Sequence, residues 1–224
     1  MAQQASYTPP AGYRWLTPLY DIGVRISTRE TKWRRELIER IAPKGDDVLL
    51  DVGAGTGSLA TLLAGQDPAT AYFGIDPDHE AIKIARKKAK RAGISVEFKQ
   101  GMFSADAIAE WPSPSIVTLC LVLHQVPMDE KLRLLREIHV VLKPGGSLFI
   151  ADYGEQTSRV MRALFRATIQ QLDGIEDTQP NADGVLVPLM GEAGFEDVRE
   201  IRKYKTITGS ISIFRAAKAP LEAC

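Results

Sequence analysis

The chain has 224 residues, of which 45% are hydrophobic and 25% are charged. This composition is typical of a globular protein and excludes a disordered chain, a fibrous repeat and a disulfide-stapled scaffold. Lys+Arg and Asp+Glu both total 28, so the formal net charge is zero, which argues against a protein whose main task is bulk electrostatic binding of nucleic acid.

The N-terminal part of the chain is predicted to form an arm followed by a lid helix. Residues 1–28 are rich in aromatic residues and are interrupted by prolines, which predicts an irregular arm with a short helix. Apolar side chains then recur at helical spacing around Trp33 and predict a helix. We therefore divide the chain into an arm with lid helices at 1–42 and a main domain at 43–224.

From residue 47 onward, the pattern alternates between strands and helices. Buried strands are predicted at 47–52, 71–75, 95–99, 115–123 and 147–152, and helices at 58–64, 78–92, 128–142, 158–172 and 185–193. Two further strands, 198–206 and 210–216, flank a short turn and predict an antiparallel hairpin. Because crossovers through helices join parallel strands, the fold class is α/β: a Rossmann-like, doubly wound, seven-stranded sheet, mostly parallel with an antiparallel C-terminal strand. An insertion around 153–192 completes the main domain.

A glycine-rich loop follows the first predicted strand and opens a helix. The run from Asp51 to Gly57 reads DVGAGTG. Glycine permits positive φ and lets a ligand approach the backbone without a Cβ clash. In open α/β sheets, this edge is where ligands bind. Asp76, at the end of the second strand, can accept hydrogen bonds from both hydroxyls of a ribose. The loop and Asp76 together predict an adenosine-containing ligand.

The same loop does not match two common nucleotide motifs. Ser58 stands where the third glycine of G-x-G-x-x-G would be, and a Gly-Lys-Ser/Thr phosphate loop is absent from the sequence. Asp51 places a carboxylate just before the first glycine, which suits a ligand with a cationic end better than a pyrophosphate. The ammonium and sulfonium of S-adenosylmethionine fit this requirement.

Four segments in the right order resemble class I S-adenosylmethionine-dependent methyltransferases. They read VLLDVGAGTGSLA, GIDPDHEAIKIARKKA, SIVTLCLVLHQVP and LREIHVVLKPGGSLFIADYG. Within the class, LTPLYD at 16–21 and Lys32-Trp33-Arg34 are most similar to the ubiquinone/menaquinone-type small-molecule methyltransferases. The resemblance implies an enzyme that transfers a methyl group from S-adenosylmethionine to a small-molecule acceptor by in-line displacement, with S-adenosylhomocysteine as the product and without a metal.

The resemblance also implies which residues contact the cofactor. These residues are Tyr20, Asp51, Gly53, Ala54, Gly55, Gly57, Asp76, Pro77, Met102, Phe103, Cys120 and Leu121. Met102 stands where the family often has an acidic residue that reads the adenine amino group. We therefore expect Met102 and Phe103 to sandwich the adenine. Asp106 is an alternative reader, although a helix-capping role explains it equally well.

His124 is the candidate catalytic base. It follows the fourth predicted strand, where the acceptor should lie beside the sulfonium, and imidazole titrates near neutral pH. The alternative interpretation is a histidine that only hydrogen-bonds its own loop or contacts the cofactor. Gln125, Asp152 and Tyr153 are further candidates for the acceptor side.

Three other functions stay open: an RNA or protein methyltransferase, an NAD-dependent oxidoreductase and a non-catalytic adenosyl-binding protein. The cationic run over 83–91 is interpreted as a solvated helix face, so we expect no DNA partner. Apolar residues over 186–190 suit a partly hydrophobic acceptor, and a core helix explains them equally well. The sequence shows neither a signal peptide nor an apolar run long enough to cross a bilayer. We expect a cytoplasmic monomer or homodimer.

Overall fold

The computed structural model describes residues 30–63 and 69–221. Seven strands form one sheet in the order β3-β2-β1-β4-β5-β7-β6. They are β1 (Val48–Val52), β2 (Ala71–Asp76), β3 (Glu97–Gln100), β4 (Ile116–Cys120), β5 (Ser147–Tyr153), β6 (Glu196–Thr206) and β7 (Gly209–Ala217). Strands β1 to β5 are parallel, and β7 runs antiparallel to both of its neighbours, β5 and β6. The predicted mostly parallel sheet with an antiparallel C-terminal strand is confirmed.

Helices cover both faces of this sheet. Within the described residues they are α1 (Glu30–Ile41), α2 (Ser58–Leu63), α3 (His79–Ala92), α4 (Met128–Val141), α5 (Arg159–Ala167), α6 (Ile169–Asp173), α7 (Ile175–Ala182) and α8 (Leu186–Glu192). Two hydrophobic clusters result, because alternate residues of one strand point to opposite faces. In β1, Leu49 packs into the cluster that contains Trp33, and Leu50 packs into the cluster that contains Leu135.

The chain builds the sheet outward from its centre in two directions. From β1 it proceeds through β2 to β3 on one side, and β4 then returns to pair with β1 on the other side. The strand order therefore reverses between β1 and β4, which is the position at which open α/β sheets bind ligands, beyond the carboxyl ends of the strands. The fold places the loops after β1, β2 and β4 around one site.

Helix α1 packs tightly against the sheet. Trp33 and Leu37 are fully buried and share a cluster with Phe149 and Tyr153 of β5. The predicted arm and Tyr20 lie outside the described residues, so the lid remains a prediction.

Two predicted elements differ by three residues or more from those observed. Strand β4 ends at Cys120, three residues early, because Leu121 adopts a left-handed φ of 58° and a 3₁₀ helix, Leu123–Gln125, follows. The predicted helix 158–172 is broken at Thr168, whose hydroxyl donates to the carbonyl of Leu164 at 2.7 Å. Helix α7 was not predicted at all. Within the described ranges, none of the helices is long and apolar enough to cross a bilayer.

Candidate active site

The glycine loop after β1 is anchored to β2. The backbone amides of Gly53 and Ala54 donate to the carbonyl of Ile75 at 2.9 and 3.1 Å. Gly53, Gly55 and Gly57 all have positive φ, which glycine adopts without the Cβ penalty. The space available for an added side chain differs between these glycines. A Cβ on Gly53 would lie 2.3 Å from a methyl group of Val122, whereas a Cβ on Gly55 would meet no atom of residues 30–63 or 69–221 within 4 Å. None of the described residues therefore fills the space beside Gly55, which suits the approach of a ligand.

Asp76 lies directly beside this space. Its carboxylate accepts hydrogen bonds from the backbone amides of Gly55 at 2.8 Å and Asp78 at 2.9 Å. A carboxylate has about four lone-pair sites, so capacity remains for two ligand hydroxyls. Burial raises the pKa of Asp76 to about 6, although the two backbone hydrogen bonds oppose the shift. The half-buried Pro77 follows directly. This arrangement can hold a ribose through its hydroxyls.

Asp51 points into a buried polar cluster at the centre of the sheet. Its carboxylate accepts from the Tyr72 hydroxyl at 2.5 Å and from the Thr118 hydroxyl at 2.6 Å. Burial raises the pKa of Asp51, and these two hydrogen bonds together with the charge of Arg34 oppose that shift. The predicted contact between Asp51 and the cationic end of the cofactor stays a prediction.

Arg34 is a neighbour of this cluster that the sequence analysis did not assign to the site. Its guanidinium pairs with Glu30, one turn earlier on α1, at 2.5 Å. The charge of Arg34 also acts on Asp51 and on Cys120 at the end of β4. The only sequence signal for Arg34 is the Lys32-Trp33-Arg34 run, which resembles the lid of the ubiquinone/menaquinone-type enzymes. Helix α1 therefore brings a cation to the edge of the sheet where β1 and β4 end.

Met102 and Phe103 have very different environments after β3. The Met102 side chain is 49% exposed, whereas Phe103 is 6% exposed and packs in the core with Trp111. Of the two, Met102 alone offers an open surface, and the adenine sandwich stays a prediction. The capping role considered for Asp106 belongs instead to Ser104, whose hydroxyl accepts from the amide of Ala107 at 3.1 Å.

The carboxyl end of β4 carries two more of the predicted cofactor residues. Cys120 is buried, and burial raises the pKa of its thiol. Leu121 is half-buried, and its amide donates to the carbonyl of Ala151 at 2.9 Å. A left-handed φ costs energy for a residue with a Cβ. The next residue, Val122, lies against Gly53. The structure thus brings the β4 end and the glycine loop into direct contact.

His124 is buried between two carboxylates. Its Nδ1 lies 2.7 Å from Asp152 and its Nε2 lies 3.5 Å from Asp173. Burial alone lowers the pKa of His124, but the two carboxylates outweigh burial and raise the pKa to about 9. The imidazole is therefore protonated at neutral pH. Its assignment as the catalytic base remains a prediction.

The carboxylate of Asp152 also orders the loop that carries His124. One oxygen accepts from the amides of Val122 at 3.0 Å and Leu123 at 2.7 Å, and the other accepts from the amide of Tyr153. Because each oxygen already has two partners, Asp152 serves as a structural centre of this loop. The Tyr153 hydroxyl pairs with Thr208 at 2.8 Å.

The cationic helix α3 engages part of its charge within the molecule. Arg86 donates to the carbonyl of Phe98 at 2.6 Å, and Lys88 donates to the hydroxyl of Thr56 at 2.7 Å.

Among the described residues, no group of three or more His, Cys, Asp or Glu side chains could hold a metal ion.

Comparison with known proteins gives a consistent result. Residues 49–146 match a family model described as a methyltransferase domain. The demethylmenaquinone methyltransferase of Thermus thermophilus is 29% identical over 163 residues, which cover 70% of this chain and 71% of that protein. The ubiquinone/menaquinone biosynthesis C-methyltransferase UbiE of a Geobacter species is 27% identical, covering 88% of this chain and 90% of that protein.

Solved structures share the fold. Magnesium protoporphyrin IX methyltransferase from Synechocystis, with bound S-adenosylhomocysteine, has a TM-score of 0.65 at 17% identity, covering 84% of this chain and 83% of that one. An O-methyltransferase family protein from Burkholderia thailandensis has a TM-score of 0.68 at 16% identity, covering 88% of this chain and 59% of that one.

The sheet order and the glycine loop agree with the resemblance to class I S-adenosylmethionine-dependent methyltransferases, and the matched family model is a methyltransferase domain. The chain is a methyltransferase that uses S-adenosylmethionine, and it is similar to the quinone methyltransferases. The sequence-based prediction of the family and the activity is confirmed, and the oxidoreductase and non-catalytic alternatives are not supported.

Proposed function

We propose that the acceptor is a small aromatic quinol and that the methyl group is transferred to a carbon of its ring. The observation that carries this proposal is the similarity to the Geobacter C-methyltransferase, which extends over 88% of this chain and 90% of that protein. It therefore includes the segment between β5 and β6, where acceptor contacts are expected, as well as the cofactor motifs.

The cofactor is proposed to lie along the carboxyl ends of β1, β2 and β4. Its ribose hydroxyls would donate to Asp76, with the chain of the cofactor passing over Gly55. The methionine end carries one ammonium and one carboxylate, and these charges suit the opposite charges of Asp51 and Arg34. Adenine would then lie toward the exposed side chain of Met102.

The proposed reaction is an in-line displacement. The ring carbon attacks the methyl carbon, the bond between that carbon and sulfur breaks, and sulfur keeps the electron pair. The ring carbon then loses its proton, so the products are the methylated ring, S-adenosylhomocysteine and one proton. Holding the two reacting atoms in line supplies effective molarities of about 10⁵–10⁸ M in favourable systems. The protein's contribution is therefore largely positioning.

His124 remains the proposed base for the acceptor hydroxyl. At neutral pH its pKa of about 9 keeps the ring protonated. A base role therefore requires the imidazole to lose a proton first, and the reaction rate should rise with pH through about 9.

The cytoplasmic location, a monomer or homodimer, and a reaction without metal stay predictions from the sequence.

The test is a turnover assay with S-adenosylmethionine and a panel of reduced acceptors. The panel contains naphthoquinols and benzoquinols that lack the ring methyl, simple phenols, amines and thiols. We expect a C-methylated quinol, identified by the ring-methyl signal in proton NMR. Transfer only to oxygen, nitrogen or sulfur, or only to the non-quinol acceptors, would show that the proposed acceptor is wrong.

A further inference from the structure

Lys131 occupies an unusual position on helix α4. The helix buries four side chains toward the core: Lys131, Leu134, Leu135 and Ile138. Lys131 is 0% exposed, so a lysine fills the place at which helical periodicity calls for an apolar residue. Lysine is almost never fully buried unless its ammonium has partners.

The partners of Lys131 belong to two different segments. Its Nζ donates to the carbonyl of Val126, directly after the 3₁₀ helix that carries His124. It also donates, at 2.8 Å, to the carbonyl of Asp177 in the first turn of α7. One ammonium thus joins the loop after β4 to the segment between β5 and β6.

His124 makes a second connection between the same two segments. It reaches back to Asp152 at the end of β5 and forward to Asp173 at the end of α6. Both aspartate side chains are almost fully buried. The loop after β4 is therefore fastened to α6 and α7 from two sides.

The far end of α7 is fixed to the same edge of the sheet. The Asn181 side chain donates to the carbonyl of Tyr153, the last residue of β5, at 3.0 Å. The amide of Gln156 donates to the carbonyl of Ala182 at 3.0 Å. Helix α7 is consequently hydrogen-bonded to the end of β5 directly and to the loop after β4 through Lys131, and both lie at the edge of the sheet where methyl transfer is proposed.

The free-energy cost of burying its ammonium indicates that the charge of Lys131 has a specific role. Burial lowers the pKa of Lys131 to about 8, although the charges of Asp152 and Asp177 oppose the shift, so the ammonium still predominates at neutral pH. Replacing buried charged groups by apolar residues of similar volume is often neutral or stabilising. A methionine at this position would fill the space without the desolvation cost, and it would lose the alignment of the two carbonyls.

We propose that Lys131 is a positioning residue for methyl transfer, which holds α6–α7 and the loop after β4 in one fixed arrangement on the acceptor side. The proposal rests on the methyltransferase activity and on the acceptor lying against α6–α7. It does not depend on the acceptor being a quinol. Lys131 acts through Val126 and Asp177 and touches neither substrate.

The test compares Lys131→Met, Lys131→Arg and Asp173→Asn with the native protein. Arg136→Met is the matched control, since it removes an exposed ion pair, Arg136–Glu192 at 3.3 Å, from the same helix. The first readout is backbone hydrogen exchange in the S-adenosylhomocysteine complex. The second is the affinity for S-adenosylhomocysteine by calorimetry. The third is the split between KM for the acceptor and kcat.

We expect exchange over 123–126 and 169–182 to accelerate roughly 10- to 100-fold in Lys131→Met, as for loss of hydrogen bonds to a charged group. Asp173→Asn should accelerate the same two segments, and Lys131→Arg should restore part of the protection. Affinity for S-adenosylhomocysteine should not change. KM for the acceptor should rise more than kcat falls.

Unchanged exchange over 169–182, an acceleration spread equally over β1 and β2, or no recovery in Lys131→Arg would overturn the proposal. Weakened binding of S-adenosylhomocysteine equal to the loss of activity would also overturn it. If the native enzyme turns over no quinol, the proposed acceptor is wrong, while the exchange and calorimetric results still decide the role of Lys131.

Discussion

Gly55 combines a left-handed backbone with open space where a side chain would begin, and this combination makes a sharp prediction. Gly55→Val should abolish binding of S-adenosylhomocysteine, because the side chain would fill the space beside Asp76. The matched control is Gly93→Val at the end of α3, where φ is also positive and the Cβ would likewise meet no atom in the described part of the chain. Both variants should lose about 1–2 kcal/mol of stability from backbone strain. Calorimetry should show lost binding in Gly55→Val alone; equal affinities in the two variants would remove Gly55 from the site.

Asp76 should make cofactor binding depend on pH. Because the ionised carboxylate accepts the ribose hydroxyls and its pKa is about 6, affinity should fall as pH drops through that value. In the free protein, the free energy of unfolding should fall as pH rises from about 4 to about 6, because the raised pKa means that the folded state binds the Asp76 proton more tightly than the unfolded state. Asp76→Asn should remove both dependences and weaken binding by about 1.5–3 kcal/mol. Asp46→Asn, at an exposed aspartate, is the control, and a native affinity that is flat across pH 6 would contradict the assignment.

His124 should stabilise the fold at neutral pH and lose that contribution at alkaline pH. Its folded pKa of about 9 lies above the reference value of 6.5. The contribution is therefore fully present below about 6.5 and is lost as pH rises through about 9. His124→Gln should remove this part of the pH dependence in denaturant titrations. The control is His139→Gln, at a partly exposed histidine whose pKa is lowered by burial. If the native protein and His124→Gln lose stability in parallel between those limits, His124 is not held as an imidazolium.

A side-chain substitution can show whether helix α1 is part of the packed core or part of a lid, because only a core helix should lose much stability. Trp33→Ala should cost about 3–5 kcal/mol of unfolding free energy, as for other buried aromatic side chains. Lys32→Ala, at the exposed neighbour, should change stability little. Denaturant unfolding measures both. A Trp33 variant with native stability and weakened ligand binding would instead favour a lid that includes α1.

Sequence patterns correctly predicted the helices and strands in which the buried side chains recur at the period of that element. The continuous apolar run of β1 and the Gly-containing turn before β7 indicated their strands correctly. The break at Thr168 and the helix around Pro180 were missed, because proline normally argues against a helix interior. Lys131 could not be assigned either, since its carbonyl partners come from segments that only the tertiary fold brings together. Of the site, the glycine loop and Asp76 followed from the sequence, whereas the effect of the Arg34 charge on Asp51 and Cys120 required the packing of α1.

Although the net charge is zero, the exposed and the buried charged residues of the molecule have different roles. The exposed charges of α3 form local pairs, such as Lys83 with Glu80 at 3.6 Å, which contribute little to stability. The buried charges instead cluster at the carboxyl edge of the sheet, around Asp51, His124 and Lys131. The proposed cofactor and acceptor sides thus lie on separate polar clusters that are joined through the loop after β4.

Because the cofactor site is formed only in the folded sheet, ligand binding should stabilise the whole molecule. At a ligand concentration of about 100 times Kd, linkage adds about 2.7 kcal/mol to the free energy of unfolding. For a chain of this size, each kcal/mol raises Tm by about 2–4 °C. S-adenosylhomocysteine should therefore raise Tm by roughly 5–10 °C at that concentration, and NAD should leave Tm unchanged because the loop lacks the dinucleotide spacing. Thermal unfolding with both ligands, and with Gly55→Val as the binding-deficient control, measures this difference. A shift with NAD and none with S-adenosylhomocysteine would contradict the cofactor assignment, since linkage reports whichever ligand the folded site prefers.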